Sequence, residues 1–106
     1  MERKDLEMEI NRKVEDSMVT LEISGRLEAV TAPRLEAEFS ALAADVKNLT
    51  LDFTDLEYVS SAGLRAILVA QRMMNSREGT MVLKGVNASV KNILQITGFA
   101  PILKFV

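Results

Sequence analysis

The alternation of apolar and polar residues near the amino terminus predicts a β-hairpin. Apolar side chains occupy every second position at residues 6–10 and again at residues 19–23, with a polar segment at residues 14–16 between them. An alternation with a period of two is the pattern of a strand that buries one face. We therefore expect two antiparallel strands joined by the polar segment, with the second strand ending at Gly25 and a loop at residues 26–31.

Three later segments carry apolar residues three and four positions apart, which predicts amphipathic helices. The first spans about residues 32–44, and Thr31 is a good N-cap for it. The second spans about residues 61–75 and is apolar on most sides, so we expect it to be largely buried. The third is short, and either Asn87 or Ser89 caps its start.

Three further strands are predicted between and after these helices. They fall at residues 49–53, 81–84 and 102–106, which gives the order β-β-α-β-α-β-α-β. Strands that alternate with helices after an opening hairpin imply an α/β fold, with a mixed, largely parallel sheet of about five strands covered by about three helices. Because no linker, repeat or low-complexity segment interrupts the chain, we expect residues 1–106 to form one domain.

Composition removes several classes of function. The 106 residues are 48% hydrophobic and 26% charged, which is typical of a folded globular protein. The chain has no His and no Cys, so disulfides, thiol or imidazole catalysis and the usual zinc ligands are excluded, and we expect no enzyme, no metal and no cofactor.

Charge and hydropathy limit the kinds of partner and the cellular location that we expect. The 13 basic and 15 acidic residues are mixed along the chain, so no basic block predicts a nucleic-acid partner. The amino terminus is charged and lacks the apolar core of a signal peptide. The longest strongly apolar run, residues 66–70, is too short to span a bilayer. We therefore expect a cytoplasmic protein without direct membrane insertion.

Two serines lie where the second helix is predicted to begin. A helix N-terminus carries unpaired backbone N–H groups and a partial positive charge, so it favours a serine oxygen and favours a phosphate still more. From residue chemistry alone, Ser61 is either a capping serine or a phosphate acceptor. Ser61, Arg65 and Arg72 fall close together on one helix face, because Arg65 lies four residues after Ser61 and Arg72 lies seven after Arg65. Arg65 either pairs with a phosphate or a partner's acidic groups, or is simply solvated.

Two carboxylates precede these serines. Asp52 and Asp55 have two interpretations, a catalytic or metal-binding pair and a structural pair. Two carboxylates three residues apart, without His or a third fixed ligand, form a weak metal or catalytic signal. We expect instead that Asp55 braces the turn by accepting local N–H bonds and that Asp52 ends the strand.

Residues 51–68, LDFTDLEYVSSAGLRAIL, resemble the signature of STAS domains, a module shared by sulfate transporters and bacterial anti-sigma-factor antagonists. The segments ISGRLEAVTAPRLEAEF and ITGFAPILKF also resemble parts of that family, so the similarity covers nearly the whole chain. The positions that fill the central pattern are Asp52, Leu56, Tyr58, Val59, Ser61, Ala62, Gly63 and Leu64.

The resemblance implies a phosphorylation-controlled partner switch in bacterial transcription regulation. In such a switch the unphosphorylated antagonist binds an anti-sigma factor that is also a serine kinase, which frees the sigma factor. The kinase then phosphorylates the antagonist and ends binding, and a metal-dependent, PP2C-like serine phosphatase resets it. Carried over by position, Ser61 is the acceptor. The partner-binding positions are Glu28, Thr31, Asp55, Ser60, Ala62, Gly63, Leu64 and Arg65.

Three positions depart from the family pattern. Ser60 replaces a common Asp, which makes Ser60 an alternative acceptor, Glu28 replaces the usual Asp, and Ala62 replaces the second hydroxyl of some members. The change at Ser60 supports an alternative hypothesis, a STAS scaffold or regulatory subunit of a transporter or lipid-trafficking complex that is never phosphorylated.

Overall fold

The computed structural model describes residues 8–106, and the first positions of the predicted opening strand lie outside that range. The strands are β1 (Met8–Glu15), β2 (Met18–Leu27), β3 (Asn48–Asp52), β4 (Leu56–Val59), β5 (Thr80–Lys84) and β6 (Lys104–Phe105). The helices are α1 (Ala32–Ser40), α2 (Ser61–Ser76) and α3 (Ala88–Ile96), and a short 3₁₀ turn at Ala100–Ile102 precedes β6.

The opening hairpin is confirmed, with longer strands than predicted. β1 and β2 pair antiparallel, and their register runs from Met8 opposite Gly25 to Glu15 opposite Met18. The turn is therefore shorter than the predicted polar segment. Asp16 takes a φ of 57°, the left-handed conformation that Asp tolerates and that tight hairpin turns require.

The sheet is mixed and largely parallel, as predicted. Its order is β1-β2-β3-β5-β6, and β4 pairs with β2 beside this path. Every pair other than β1 with β2 is parallel. β2 changes partner along its length, because its first half pairs with β3 and its last residues pair with β4 after a register shift between Gly25 and Arg26.

β4 is a strand that the sequence pattern did not predict. It has four residues, of which Leu56 and Val59 are buried and Glu57 and Tyr58 are exposed. Such a pattern lacks the period-two alternation that marks a strand, so it predicts no strand at these residues. The fold class holds, with six strands in the sheet instead of about five.

The three predicted helices are present, with one clear difference in length. α1 ends at Ser40 and not near residue 44, although Leu42 and Val46 beyond it are still buried, so the apolar spacing continues through a non-helical turn. α3 is capped by Asn87, whose Oδ1 accepts a hydrogen bond from the Val90 N–H at 2.8 Å. Gly98 then takes a φ of 81° just after the helix, the left-handed conformation in which a glycine commonly ends a helix.

The core lies on one face of the sheet, between the strands and the helices. The inward residues of the central strands are fully buried, among them Val19, Leu21, Ile23, Leu49, Leu51, Met81 and Leu83. The residues between them are partly exposed, among them Thr20, Glu22, Thr50, Asp52 and Val82. The other face, which we call the open face, is therefore polar and largely uncovered.

Candidate functional site

The two serines at the start of α2 have different environments. Ser60 is the N-cap: it is extended, its Oγ accepts a hydrogen bond from the Gly63 N–H at 3.3 Å, and its own N–H donates to the Leu27 carbonyl at 2.9 Å. Ser61 is the first helical residue and is exposed, and within residues 8–106 its hydroxyl makes no hydrogen bond. The capping interpretation of Ser61 is therefore wrong, because Ser60 makes the cap.

Gly63 joins the start of α2 closely to the end of β2. It is buried, and a Cβ at this position would lie 2.6 Å from the Leu27 carbonyl oxygen and 2.8 Å from Leu27 Cγ. Real Cβ atoms do not approach backbone oxygens so closely, so this packing requires glycine. The contribution of Gly63 is to fix the helix against the strand, which determines where Ser61 is presented.

The loop before α1 is held by a buried hydroxyl. Thr31 is 4% exposed, and its Oγ1 donates to the Arg26 carbonyl at 2.7 Å and accepts from the Glu28 N–H at 2.9 Å. Thr31 occupies the N-cap position of α1, as predicted, but its side chain makes no cap hydrogen bond because it binds the loop instead. Val30, at the tip of this loop, is 85% exposed.

An arginine links this loop to β4. The Arg26 guanidinium lies 4.5 Å from the centre of the Tyr58 ring and 3.1 Å from a carboxylate oxygen of Glu28. Because β2 and β4 are paired here and Leu27 accepts from Ser60, the loop lies beside the start of α2. The structure therefore brings the predicted positions Glu28 and Thr31 to the same end of the sheet as the serines.

The turn between β3 and β4 is braced by Asp52 and not by Asp55. Asp52 Oδ1 accepts from the Thr54 N–H at 3.0 Å and from its hydroxyl at 2.6 Å, the geometry in which an aspartate binds its own chain two residues on. Partial burial raises the pKa of Asp52, but the Thr54 bonds, Lys84 and Lys13 outweigh it, so the pKa lies below its usual range. Asp55 is exposed, and in the described chain no hydrogen bond reaches its carboxylate.

These carboxylates border a small polar pocket on the open face of the sheet. The pocket has a volume of about 150 Å³ and is lined by Asn11, Glu22, Ile23, Ser24, Asp52, Thr54 and Asp55. Across residues 8–106 no group of three or more acidic side chains is placed to hold a metal ion. None of the helices described there is both long and apolar enough to cross a membrane.

A larger groove runs along α2, beginning at Ser61. It has a volume of about 460 Å³, and its walls are α2 on one side and the segment after α3 on the other. The lining residues are Ser61, Leu64, Arg65, Leu68, Arg72, Thr97 and Phe99. The predicted shared face of Ser61 and the two arginines is confirmed. The far wall was not predicted, because nothing in the local pattern around Thr97 and Phe99 indicates which helix they face.

Comparison with known proteins gives the family. A family model of the STAS domain matches residues 9–106, and the chain belongs to this family. The Bordetella bronchiseptica protein BtrV, named as an anti-sigma factor antagonist, is 32% identical over 88 residues, which cover 82% of this chain and 76% of BtrV. By homology the chain falls among the anti-sigma factor antagonists, which are regulatory proteins.

Solved structures support the same fold. The Bacillus cell fate determinant SpoIIAA in its phosphorylated form aligns with a TM-score of 0.72 at 19% identity, over 92% of this chain and 91% of SpoIIAA. A sulfate transporter family protein from Wolinella succinogenes aligns with a TM-score of 0.77 at 22% identity, over 88% of this chain and 80% of that one. At such identities the likeness is one of fold alone.

Proposed function

We propose that this chain is an anti-sigma-factor antagonist that acts as a phosphorylation-controlled partner switch, with Ser61 as the phosphate acceptor. The unphosphorylated form binds a cytoplasmic serine kinase that is also an anti-sigma factor, and this binding frees the sigma factor. Phosphorylation of Ser61 ends the binding, and a PP2C-like phosphatase restores it. In this proposal the chain is a substrate and a ligand, and it catalyses nothing itself.

The observation that carries this proposal is that Ser60 caps α2, whereas the Ser61 hydroxyl is exposed and takes no part in the cap. Ser61 presents an exposed hydroxyl with no partner in residues 8–106, so a kinase reaches it without breaking any of the hydrogen bonds described there. The Ser60 hydroxyl is partly buried and its Oγ already accepts from the Gly63 N–H, so a kinase would have to displace the cap of α2 to use it. The geometry therefore favours Ser61 over Ser60 as acceptor.

A phosphate on Ser61 is compatible with the fold. It adds nearly two negative charges at the N-terminus of α2, where backbone N–H groups and the helix dipole favour an anion. The same charge lies in the surface that a kinase must contact. We therefore expect phosphorylation to weaken partner binding without unfolding the chain.

The test is phosphate mapping on three forms of the chain. The wild type, Ser61→Ala and Ser60→Asp are incubated with the cognate kinase and Mg-ATP, and phosphopeptides are identified by mass spectrometry. Ser60→Asp is the matched control, because Asp is an equally good cap but no acceptor. We expect phosphate on Ser61 in the wild type and in Ser60→Asp, and none in Ser61→Ala. Phosphate on Ser60, or on neither serine, would contradict the proposal.

A second candidate is a STAS scaffold subunit of a transporter or lipid-trafficking complex that is never phosphorylated. Ser60 in place of the usual aspartate favours it, since that change removes a carboxylate beside the acceptor. Affinity capture from the source cells separates the two. Recovery of transporter or lipid-trafficking subunits without a serine kinase supports the scaffold, and recovery of a kinase supports the switch.

A further inference from the structure

The groove along α2 is a cationic surface on a protein of net charge −2. Arg65 and Arg72 are both exposed and line it, and no acidic residue does. Within residues 8–106 neither guanidinium has an ion pair or a hydrogen bond. The other arginines of that range are each bonded to a carboxylate or a carbonyl, namely Arg12, Arg26, Arg34 and Arg77. Two arginines that share a groove and lack internal partners leave their hydrogen-bond donors for a ligand.

Apart from the two arginines, Ser61 and Thr97, the groove is lined by apolar side chains. Leu64, which is 4% exposed, Leu68 and the half-buried Phe99 contribute to its lining. The volume of about 460 Å³ lies within the range of clefts that hold a drug-sized ligand. An occupant that fits such a site carries both an apolar anchor and negative charge.

We propose that this groove binds an acidic, apolar segment of the partner protein. An apolar side chain of that segment packs on Leu68 and Phe99, and carboxylates pair with Arg65 and Arg72. A protein segment is the occupant because the groove begins at Ser61, the hydroxyl that the proposed kinase must reach. In that respect the inference rests on the proposed function.

The groove also explains how a phosphate on Ser61 would release the partner. Ser61 and Arg65 are four residues apart on α2 and therefore neighbours on its surface. A phosphate on Ser61 binds the Arg65 guanidinium and repels the partner carboxylate that was paired with Arg65. Release is then a local competition for one arginine and requires no change of fold.

A peptide selection tests the groove without knowledge of the natural partner. The unphosphorylated chain is panned against a phage-displayed library of random peptides of about 12 residues, enough for three helical turns. Affinities of the selected peptides are then measured by fluorescence polarisation. We expect the selected sequences to combine acidic and apolar residues, and their binding to weaken as salt is raised.

Matched variants locate the binding. Removing both charges with Arg65→Gln and Arg72→Gln should lower peptide affinity about tenfold or more, and Arg65→Lys with Arg72→Lys should restore part of it. Lys104→Gln is the control. Lys104 pairs with Val82 and lies on the open face of the sheet, so this variant removes a positive charge outside the groove. Ser61→Asp should lower affinity several-fold through Arg65. A urea titration checks that each variant is folded.

The outcomes separate this inference from the proposed switch. The proposed binding in the groove is overturned if the selected peptides are basic or neutral. It is also overturned if the double Gln variant binds them as tightly as the wild type. If the kinase nevertheless phosphorylates Ser61, the switch stands without the groove. If the arginine variants lose binding but no kinase modifies Ser61, the groove stands and the switch falls. Unchanged affinity of Ser61→Asp overturns the competition for Arg65.

Discussion

Replacing each of the two serines at the start of α2 tests whether they have the separate roles that the structure gives them. Ser60→Ala removes the hydroxyl that accepts from Gly63, at a donor–acceptor distance of 3.3 Å. This distance is longer than the usual 2.9–3.0 Å for such bonds, so the loss belongs at the lower end of the range for caps, about 0.5–1 kcal/mol. For a domain of 106 residues this lowers the melting temperature by about 2–8 °C.

The companion variants give the direction of each effect. Ser61→Ala alters an exposed hydroxyl without a described partner, so the free energy of unfolding should change by less than about 0.5 kcal/mol. Ser60→Asp keeps a capping oxygen and adds a charge that the helix dipole favours, so it should match the wild type or exceed it by a few tenths of a kcal/mol.

Urea denaturation at neutral pH, followed by far-UV circular dichroism, measures all three variants against the wild type. The expected order of stability is Ser60→Asp, then wild type and Ser61→Ala together, then Ser60→Ala. The reasoning is refuted if Ser61→Ala is as destabilised as Ser60→Ala, because the cap would then belong to Ser61. It is also refuted if Ser60→Ala is as stable as the wild type.

Three further predictions concern the surroundings of the serines. Gly63→Ala should lower the free energy of unfolding by about 1–3 kcal/mol, because its Cβ would overlap Leu27; a urea midpoint equal to that of the wild type would contradict this. Thr31→Val leaves the part-buried Arg26 carbonyl and Glu28 N–H without their partner, so it should lower the free energy of unfolding by about 1–3 kcal/mol and speed amide hydrogen exchange in the loop before α1. Unchanged exchange would show that the Thr31 hydroxyl does not hold this loop. The pKa of Asp52 is lower in the folded chain than its unfolded value of 3.8, so Asp52 stabilises the fold above that value and the stabilisation is lost as pH falls through the folded pKa. Asp52→Ala should therefore weaken the fall in the free energy of unfolding as pH is lowered. An unchanged pH dependence in acid would contradict this.

The sequence predicts most of the fold because the period of its apolar residues is clear in the long elements. α2 begins at Ser61 as predicted and ends at Ser76, one residue beyond the prediction. β4 escapes the same reasoning, since a four-residue strand with two adjacent exposed positions has no period to detect. The early end of α1 escapes it as well, because apolar spacing continues into a buried turn.

The site shows a different limit of sequence-based reasoning. Several residue types that make caps and turns stand next to one another here, and position along the chain does not decide which oxygen takes which N–H. Ser60 rather than Ser61 made the cap, and Asp52 rather than Asp55 braced the turn. In both cases the outcome depends on where the strand ends, which the packing of the sheet determines. The far wall of the groove depends on a tertiary contact and carried no local signal at all.

The change of partner along β2 has a consequence for how quickly the proposed switch would respond. β2 pairs with β1 on one side and with β3 and then β4 on the other, so most of the strand that leads to the start of α2 is held in the sheet on both sides. Opening the chain at such a place requires a free energy close to that of global unfolding. Under the proposed switch, a phosphate on Ser61 would therefore act on a rigid part of the fold, and its addition or removal would change partner binding without a slow rearrangement of the chain. Repeated phosphorylation and dephosphorylation would leave the fold unchanged, so the response of the chain would not depend on earlier cycles.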